Sequence, residues 1–235
     1  MTTMYLFGII ISSSLLLVVL VMIIEFLKDQ RLLKTVTEPH RGTRSERKMV
    51  LKLLKSNMPA QTIFHDLYLI NPNGSYSQID LAVATKVGII VFEIKEYSGW
   101  IFGTGNQKDW TKVLAYGKEK YRFYNPILQN KKHITDLIGQ LTQFKNVQFY
   151  SVIVFFGNCE FKNMKLIPDD VFLIKSREVM DVIKKILLEN KPSHYTDKRE
   201  VLNLLKMAVK NGEDNQIREK HIKNIKTMLS KDTFN

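Results

Sequence analysis

The sequence predicts an α/β fold, an α+β mixed sheet flanked by helices and preceded by a single transmembrane helix. Three observations predict it: an uncharged apolar run from Tyr5 to Ile24, two strand-like runs joined by a turn at Lys86-Val87-Gly88, and apolar stripes at helical spacing on either side of them. Beyond the apolar run lie roughly two hundred residues, room for one domain with a proper core and a helical appendage. The expected organisation is an anchor over 1–27, a basic stalk over 28–40, the main domain over 41–190 and a C-terminal helical extension over 191–235.

The elements follow in order. Tyr5 to Ile24 has about the length that crosses a hydrocarbon core, and Glu25 closes it. A cleaved signal would show basic residues before a shorter core and a small-residue cleavage site after it, and neither is clear here. Lys28, Arg31, Lys34, Arg41, Arg44, Arg47 and Lys48 follow the run, whereas no charged side chain precedes it. The positive-inside rule therefore predicts a single-pass protein of the cell membrane with its C-terminal domain in the cytoplasm. Lys28 to His40, ending at Pro39, reads as a short stalk. Thr43-x-x-Glu46 is a capping box opening a helix through Met49, Val50, Leu53 and Leu54. Gln61 to Ile70 reads as a strand, Asn71-Pro72-Asn73-Gly74 as a turn, and Trp100 to Leu114 as an added hairpin. Asn125 and Pro126 cap and open a helix to about Leu141. A strand from Phe149 to Phe156, a short strand from Val171 to Ile174 and a helix from about Glu178 to Glu189 complete the core. After Tyr195, Val201, Leu204, Leu205, Ala208 and Val209 form one stripe and Ile217, His221, Ile222, Ile225 and Met228 another. They predict two amphipathic helices, either packed on the body or free to bind a partner.

Charge in the strands is the unusual feature. A period of two puts Ile89, Val91, Glu93, Lys95 and Tyr97 on one face of their strand, so Glu93 and Lys95 point the same way. If the neighbouring strand pairs with it, Asp80 comes close to Glu93, and two carboxylates in a low dielectric repel unless a cation or proton lies between them. Oxygen ligands of this kind suit Mg²⁺ or Mn²⁺. Lys95 could then orient or deprotonate an attacking water, or neutralise charge on a phosphate. The alternative is a set of cross-strand ion pairs on a solvated sheet face.

From about Arg41 to about Leu141 the chain resembles the NERD (nuclease-related) domain, a branch of the PD-(D/E)xK restriction-endonuclease-like superfamily. The matching pieces are R-G-T-R-S-E-R at 41–47, Q-I-D at 78–80, E-I-K at 93–95, Y-S-G at 97–99, Trp110 and N-P-I-L-Q-N at 125–130. The resemblance implies a restriction-endonuclease-like core, Asp80 and Glu93 as metal ligands, Lys95 as the catalytic lysine, and Glu46 and Gln129 as supporting polar residues from flanking helices. Ile79 stands where proline is usual before the first acid, and Ser45 where glycine usually precedes the helical glutamate. Glu46 keeps two readings, cap or site, since Val50 and Leu53 share its stripe toward the core. Gln129 likewise reads as a site residue or as an ordinary polar residue of a first turn.

Composition narrows the rest. Thirty-five Lys and Arg against 23 Asp and Glu give a net charge of +12, which attracts phosphate backbones and an anionic membrane surface alike. Tyr121, Phe123 and Tyr124 interleave with Lys120 and Arg122, either to stack on unpaired bases or to pack in the sheet. A lone cysteine, Cys159, excludes an intrachain disulfide and a cysteine zinc cluster. The five histidines show no metal-ligand spacing and each reads as a surface or packing residue. Gly103-Thr104-Gly105 lacks the lysine and serine of a phosphate loop. Two functions remain: a membrane-anchored, Mg²⁺-dependent nuclease acting on nucleic acid, DNA ahead of RNA, or a non-catalytic nucleic-acid-binding or scaffold module tethered at the membrane.

Overall fold

The computed structural model describes the backbone of residues 2–232 except 73, 115, 116, 142–145 and 196, and side chains from residue 14 onward within those limits, apart from 225, 226 and 228–232. Two mixed sheets are flanked by helices. The larger has strand order β1-β2-β3-β7-β9, built from β1 (Ile63–Ile70), β2 (Tyr76–Thr85), β3 (Gly88–Glu96), β7 (Phe149–Phe156) and β9 (Val171–Lys175). The first three run antiparallel, as hairpin-type connections allow, and β3, β7 and β9 run parallel. The smaller sheet, order β6-β5-β4-β8, takes up β4 (Gly99–Phe102), β5 (Asp109–Leu114), β6 (Glu119–Tyr124) and β8 (Cys159–Phe161). The predicted hairpin is thus part of a second sheet.

Alternation along β3 feeds two cores, because successive side chains of a strand face opposite ways. Ile90, Phe92 and Ile94 pack with Met49, Val50 and Leu53 of α2 (Arg44–Lys55) and with Val179, Ile183 and Ile186 of α4 (Val179–Glu189). Ile89 and Val91 face the other way, toward Leu137 of α3 (Pro126–Gln140) and Val201, Leu205 and Ala208 of α5 (Lys198–Asn211). A third cluster, with Trp110, Ile101, Ile153 and Phe155, joins the small sheet to β7. The first C-terminal stripe therefore lies against the body. Of the second, on α6 (Asn215–Asp232), His221 is buried and its Nδ1–H donates to Tyr76 O, while Ile222 is exposed; Ile225 and Met228 lie outside the described side chains, as does Asn73 of the predicted turn.

The N-terminal helix differs from expectation in two respects. α1 (Thr2–Leu33) passes Glu25 without a break, and no helix among the described residues is long and apolar enough to cross a membrane. The expected span over 5–24 falls partly outside the described side chains; its second half, Leu15 to Ile24, is apolar and exposed. The expected stalk over 28–40 is not a free linker. Leu32, Leu33 and Val36 pack onto the α2 core, Thr37 is buried, and Lys55 pairs with Asp29 at 2.7 Å. Apolar residues at helical spacing among the basic ones give this segment a face to bury.

β1 and β2 share an irregularity that positions the site. Leu67 and Ile79 pair and pack toward α5, whereas the next pairs, His65 with Leu81 and Ile63 with Val83, face α2. The alternation slips by one residue in both strands, at Asp66 and at Asp80, and neither takes part in the register. Asp66 adopts a left-handed φ of 57°, which aspartate tolerates better than most residues. Its buried carboxylate is held by Arg41 Nε at 3.1 Å and Gln78 Nε2 at 2.8 Å, and Arg41 Nη2 also donates to Asp66 O at 2.6 Å. Replacing Arg41 by Met leaves Asp66 buried without its cation, and the expected loss is about 3–5 kcal/mol. Urea unfolding of Arg41→Met and of the double variant with Asp66→Asn checks this; the second change should recover part of the loss.

Candidate active site

The β2–β3 ladder ends at Leu81 opposite Phe92, whereas β3 stays paired with β7 through Glu96 opposite Phe156. β2 therefore parts from β3 one residue before the register would set Asp80 against Glu93. The freed N–H of Ile94 donates instead to Asp80 Oδ2 at 2.7 Å. This side-chain bond replaces a ladder bond, so no buried donor is left bare where the strands diverge. The carboxyl group is held at the mouth of the gap.

Glu93 is fully buried on the face of β3 that looks toward α3. Lys95, on the same face, places Nζ 2.5 Å from Glu93 Oε1 and donates to Gln129 Oε1 at 3.1 Å. Gln129 sits in the first turn of α3, which opens with Pro126 and is capped by Asn125, whose Oδ1 accepts from Ile127 N–H at 2.9 Å. Asn125 also donates to three carbonyls of the β4–β5 loop, at Thr104, Gly105 and Gln107, which ties the helix start to the small sheet. Asn130, one residue on, donates to Val91 O and Ser151 Oγ and holds α3 against β3 and β7.

Glu46 enters from α2, where it joins the Thr43 cap and turns one carboxylate oxygen inward. Its N–H donates to Thr43 Oγ1, as an N-cap requires, while its Oε1 accepts from the same hydroxyl at 2.7 Å. Its Oε2 is turned inward, 3.4 Å from His65 Nε2. Burial raises the Glu46 carboxyl, but the nearby His65 ring and the hydrogen bonds to Thr43 outweigh it and hold the group below its ordinary value. For Asp80 the balance runs the other way. Burial, then the negative charges of Glu93 and Glu46, push it well above the usual range, against partial relief from Lys95 and the Ile94 N–H. Lys95 is opposed by burial yet ends raised, since Glu93 and Asp80 favour its ammonium form. Glu93, Lys95 and Gln129 are thus linked by direct contacts, and Asp80 and Glu46 are joined to them only through the charges that act on Asp80.

Other residues at the site were not anticipated. His65 and His133 are both buried; His133 Nε2 lies 3.3 Å from Glu93 Oε2, and Ser77 Oγ is 3.0 Å from His133 Nδ1. A signal for His133 was present, since it follows Gln129 by one helical turn and shares a buried stripe with Leu137. His65 and Asp66 interrupt an otherwise apolar strand. Away from the site, Phe123 packs on Tyr97 and Trp110 while Tyr121 and Tyr124 are exposed, so the aromatic group of β6 divides between core and surface. Among the described residues, no group of three or more His, Cys, Asp or Glu is arranged to hold a metal ion.

The raised Asp80 carboxyl predicts a stability profile. The folded state binds this proton more tightly than the unfolded chain, so the group favours folding below its unfolded pKa of about 3.9, and that contribution is lost as pH rises through the folded value. Asp80→Asn mimics the neutral acid. In chelator-treated buffer its melting temperature should exceed that of the parent at neutral pH, and the gap should close on acidification. A parent that melts higher at neutral pH contradicts the burial and repulsion assigned to Asp80.

Residues 41–156 match the family model of the nuclease-related domain, NERD. An uncharacterized protein of Bacillus anthracis is 24% identical over 208 residues, which cover 85% of this chain and 92% of that protein. No solved structure is a significant match. Every residue of the site described above falls between Arg41 and Phe156, inside the stretch that is similar to the nuclease-related domain.

Proposed function

We propose that the protein is a membrane-anchored, metal-dependent nuclease that hydrolyses phosphodiester bonds of nucleic acid, DNA ahead of RNA. The observation that carries this reading is the buried Glu93 carboxylate with Lys95 against it and the half-buried Asp80 close enough to feel its charge. Like charges held together without a cation cost several kcal/mol, and a domain that only bound nucleic acid would have no use for them. The donor set fits Mg²⁺ or Mn²⁺. Both Glu93 oxygens are buried without a well-angled hydrogen bond, Asp80 is raised by its acidic neighbours, and all the donors are hard oxygens. Magnesium keeps several waters and commonly takes one or two carboxylates, so a pair suffices. Asp80 and Glu93 would hold the ion, which when bound supplies a Lewis acid for a phosphoryl oxygen and lowers the pKa of a bound water.

The remaining steps belong to the chain's own groups. Lys95 is raised, so at neutral pH it is an ammonium ion and acts as a donor rather than a base. Glu93 and Gln129 take two of its three N–H directions, and the third is left for a water or a phosphate oxygen. Gln129 fixes where that direction points, and Glu46 adds negative charge that strengthens the demand for a cation. The net charge of +12 supports a polyanionic substrate. Exposed Tyr121 beside Lys112, 5.1 Å from its ring, offers a basic and aromatic surface on the small sheet. The exposed apolar band from Leu15 to Leu27 on α1 supports insertion in a membrane, with the basic flank holding the domain on the cytoplasmic side.

Incubation of the full chain with DNA and RNA tests the enzyme. Cleavage should require Mg²⁺ or Mn²⁺ and fall at least about a hundredfold in Asp80→Ala and Lys95→Ala. Salt-sensitive binding without cleavage, kept in both variants, would instead make the protein a nucleic-acid tether. Flotation with anionic vesicles tests the anchor: the full chain should rise with them, and a chain lacking residues 1–27 should not.

A further inference from the structure

Two buried histidines stand behind two of the site's glutamates in the same arrangement. His65 of β1 has Nδ1 2.7 Å from Thr37 Oγ1 and Nε2 3.4 Å from Glu46 Oε2. His133 of α3 has Nδ1 3.0 Å from Ser77 Oγ and Nε2 3.3 Å from Glu93 Oε2. One array comes from the α2 side of the large sheet and the other from the α3 side, so no single packing accident produces both. In each, the inner ring nitrogen is hydrogen-bonded to a hydroxyl, while Nε2 and the facing carboxylate oxygen have no well-angled partner.

The chemistry of the groups fixes the protons. An ionised carboxylate only accepts, so an Nε2 lone pair facing it would be repulsive, and the stable form carries its hydrogen there. In a neutral ring Nδ1 is then the acceptor, and the Thr37 and Ser77 hydroxyls must donate to it. Both Nε2–oxygen separations lie just beyond ordinary hydrogen-bond length, a looseness common in sites that tighten only when loaded. Space around one pair is kept clear by Gly42 in a left-handed conformation, φ 59°, where a Cβ would run into Glu46 Oε2 and His65 Nε2.

We propose that His65 and His133 are positioning residues that fix the carboxylate of Glu93, which would hold a divalent cation, and that of Glu46, whose charge acts on the same site, each presenting Nε2–H because Thr37 or Ser77 donates to its Nδ1. The inference rests on the metal-dependent reading above. Two histidines and two hydroxyls that touch neither cation nor substrate thereby set the orientation of Glu93 and of Glu46 beside it. Outer partners of this kind typically change metal affinity by about 10–100-fold when removed.

The test uses the full chain with His65→Gln, His65→Leu, His133→Gln and His133→Leu, Mn²⁺ titration calorimetry, and long-range ¹H–¹⁵N spectra of the imidazoles. Glutamine keeps an N–H near the place of Nε2, so its variants should bind Mn²⁺ within about threefold of the parent. The leucine variants, matched in melting temperature to the glutamine ones, should lose about 10–100-fold. Both parent rings should show the Nε2–H tautomer, and Thr37→Val and Ser77→Ala should each release that preference in their own histidine; these two changes also serve if a leucine variant fails to fold. Equal Mn²⁺ affinity in leucine and glutamine variants, or Nδ1–H tautomers in the parent, overturns the inference. A parent that binds no Mn²⁺ sinks the metal reading instead, and the tautomers then decide alone whether the histidines hold the glutamates.

Discussion

The bond from the Ile94 N–H to Asp80 is the constraint on which the site depends. A regular antiparallel ladder would have spent that N–H on a β2 carbonyl and would have sealed β2 against β3 along its whole length. By accepting it on a side chain, the protein ends the ladder without stranding a buried donor, and the two strands part. The parting is matched on the far side of β2, where Asp66 leaves the β1 register at the same level and is held in place by Arg41 and Gln78. The slip in both strands turns His65 toward α2 and keeps Ile79 toward α5. A straight sheet would leave Asp80 beneath its neighbour; the slipped one holds it at an opening.

Around that opening acidic groups outnumber cations. Asp80, Glu93 and Glu46 meet one ammonium, Lys95, and two imidazoles whose Nε2 atoms stop short of good hydrogen bonds. Buried polar groups are normally satisfied, and a partly satisfied network is worse for stability than an apolar core. The surrounding structure is correspondingly stiff. Phe92, Ile90 and Met49 are fully buried beneath the site, and Asn130 pins α3 to two strands at once. Strain of this electrostatic kind persists only where the scaffold over-determines it.

Much of this was legible in the sequence because it is local. The capping residues Thr43 and Asn125, the β3 alternation that puts Glu93 and Lys95 on one face, and the strand Phe149–Phe156 each follow from a few adjacent residues, and each is found where its pattern put it. The departures are non-local. The phase slip needs Asp66 and Asp80 to face each other across two strands, and no periodicity within either strand announces it. The histidines carried no metal-ligand spacing because their partners are supplied by other elements, Thr37 and Glu46 for His65, Ser77 and Glu93 for His133. The small sheet was reduced to a hairpin since β8 joins it through a parallel pairing with β4 from far along the chain.

The segment read as a stalk has the largest mechanical consequence. Helix α1 continues through Leu33, and Leu32, Leu33 and Val36 then settle against the α2 core, so the chain has no slack between the apolar band and the domain. From Ile24 to Leu33 the helix rises about 14 Å. Four residues later Thr37 reaches the ring of His65, and Glu46 lies beyond it. The docking of α1 and the orientation of a site carboxylate are therefore consecutive events along one stretch of chain. A flexible tether would transmit nothing to the site, whereas a helix packed into the same core that carries Glu46 cannot tilt without moving Thr37. The domain and its N-terminal helix are joined through the packing that sets the site.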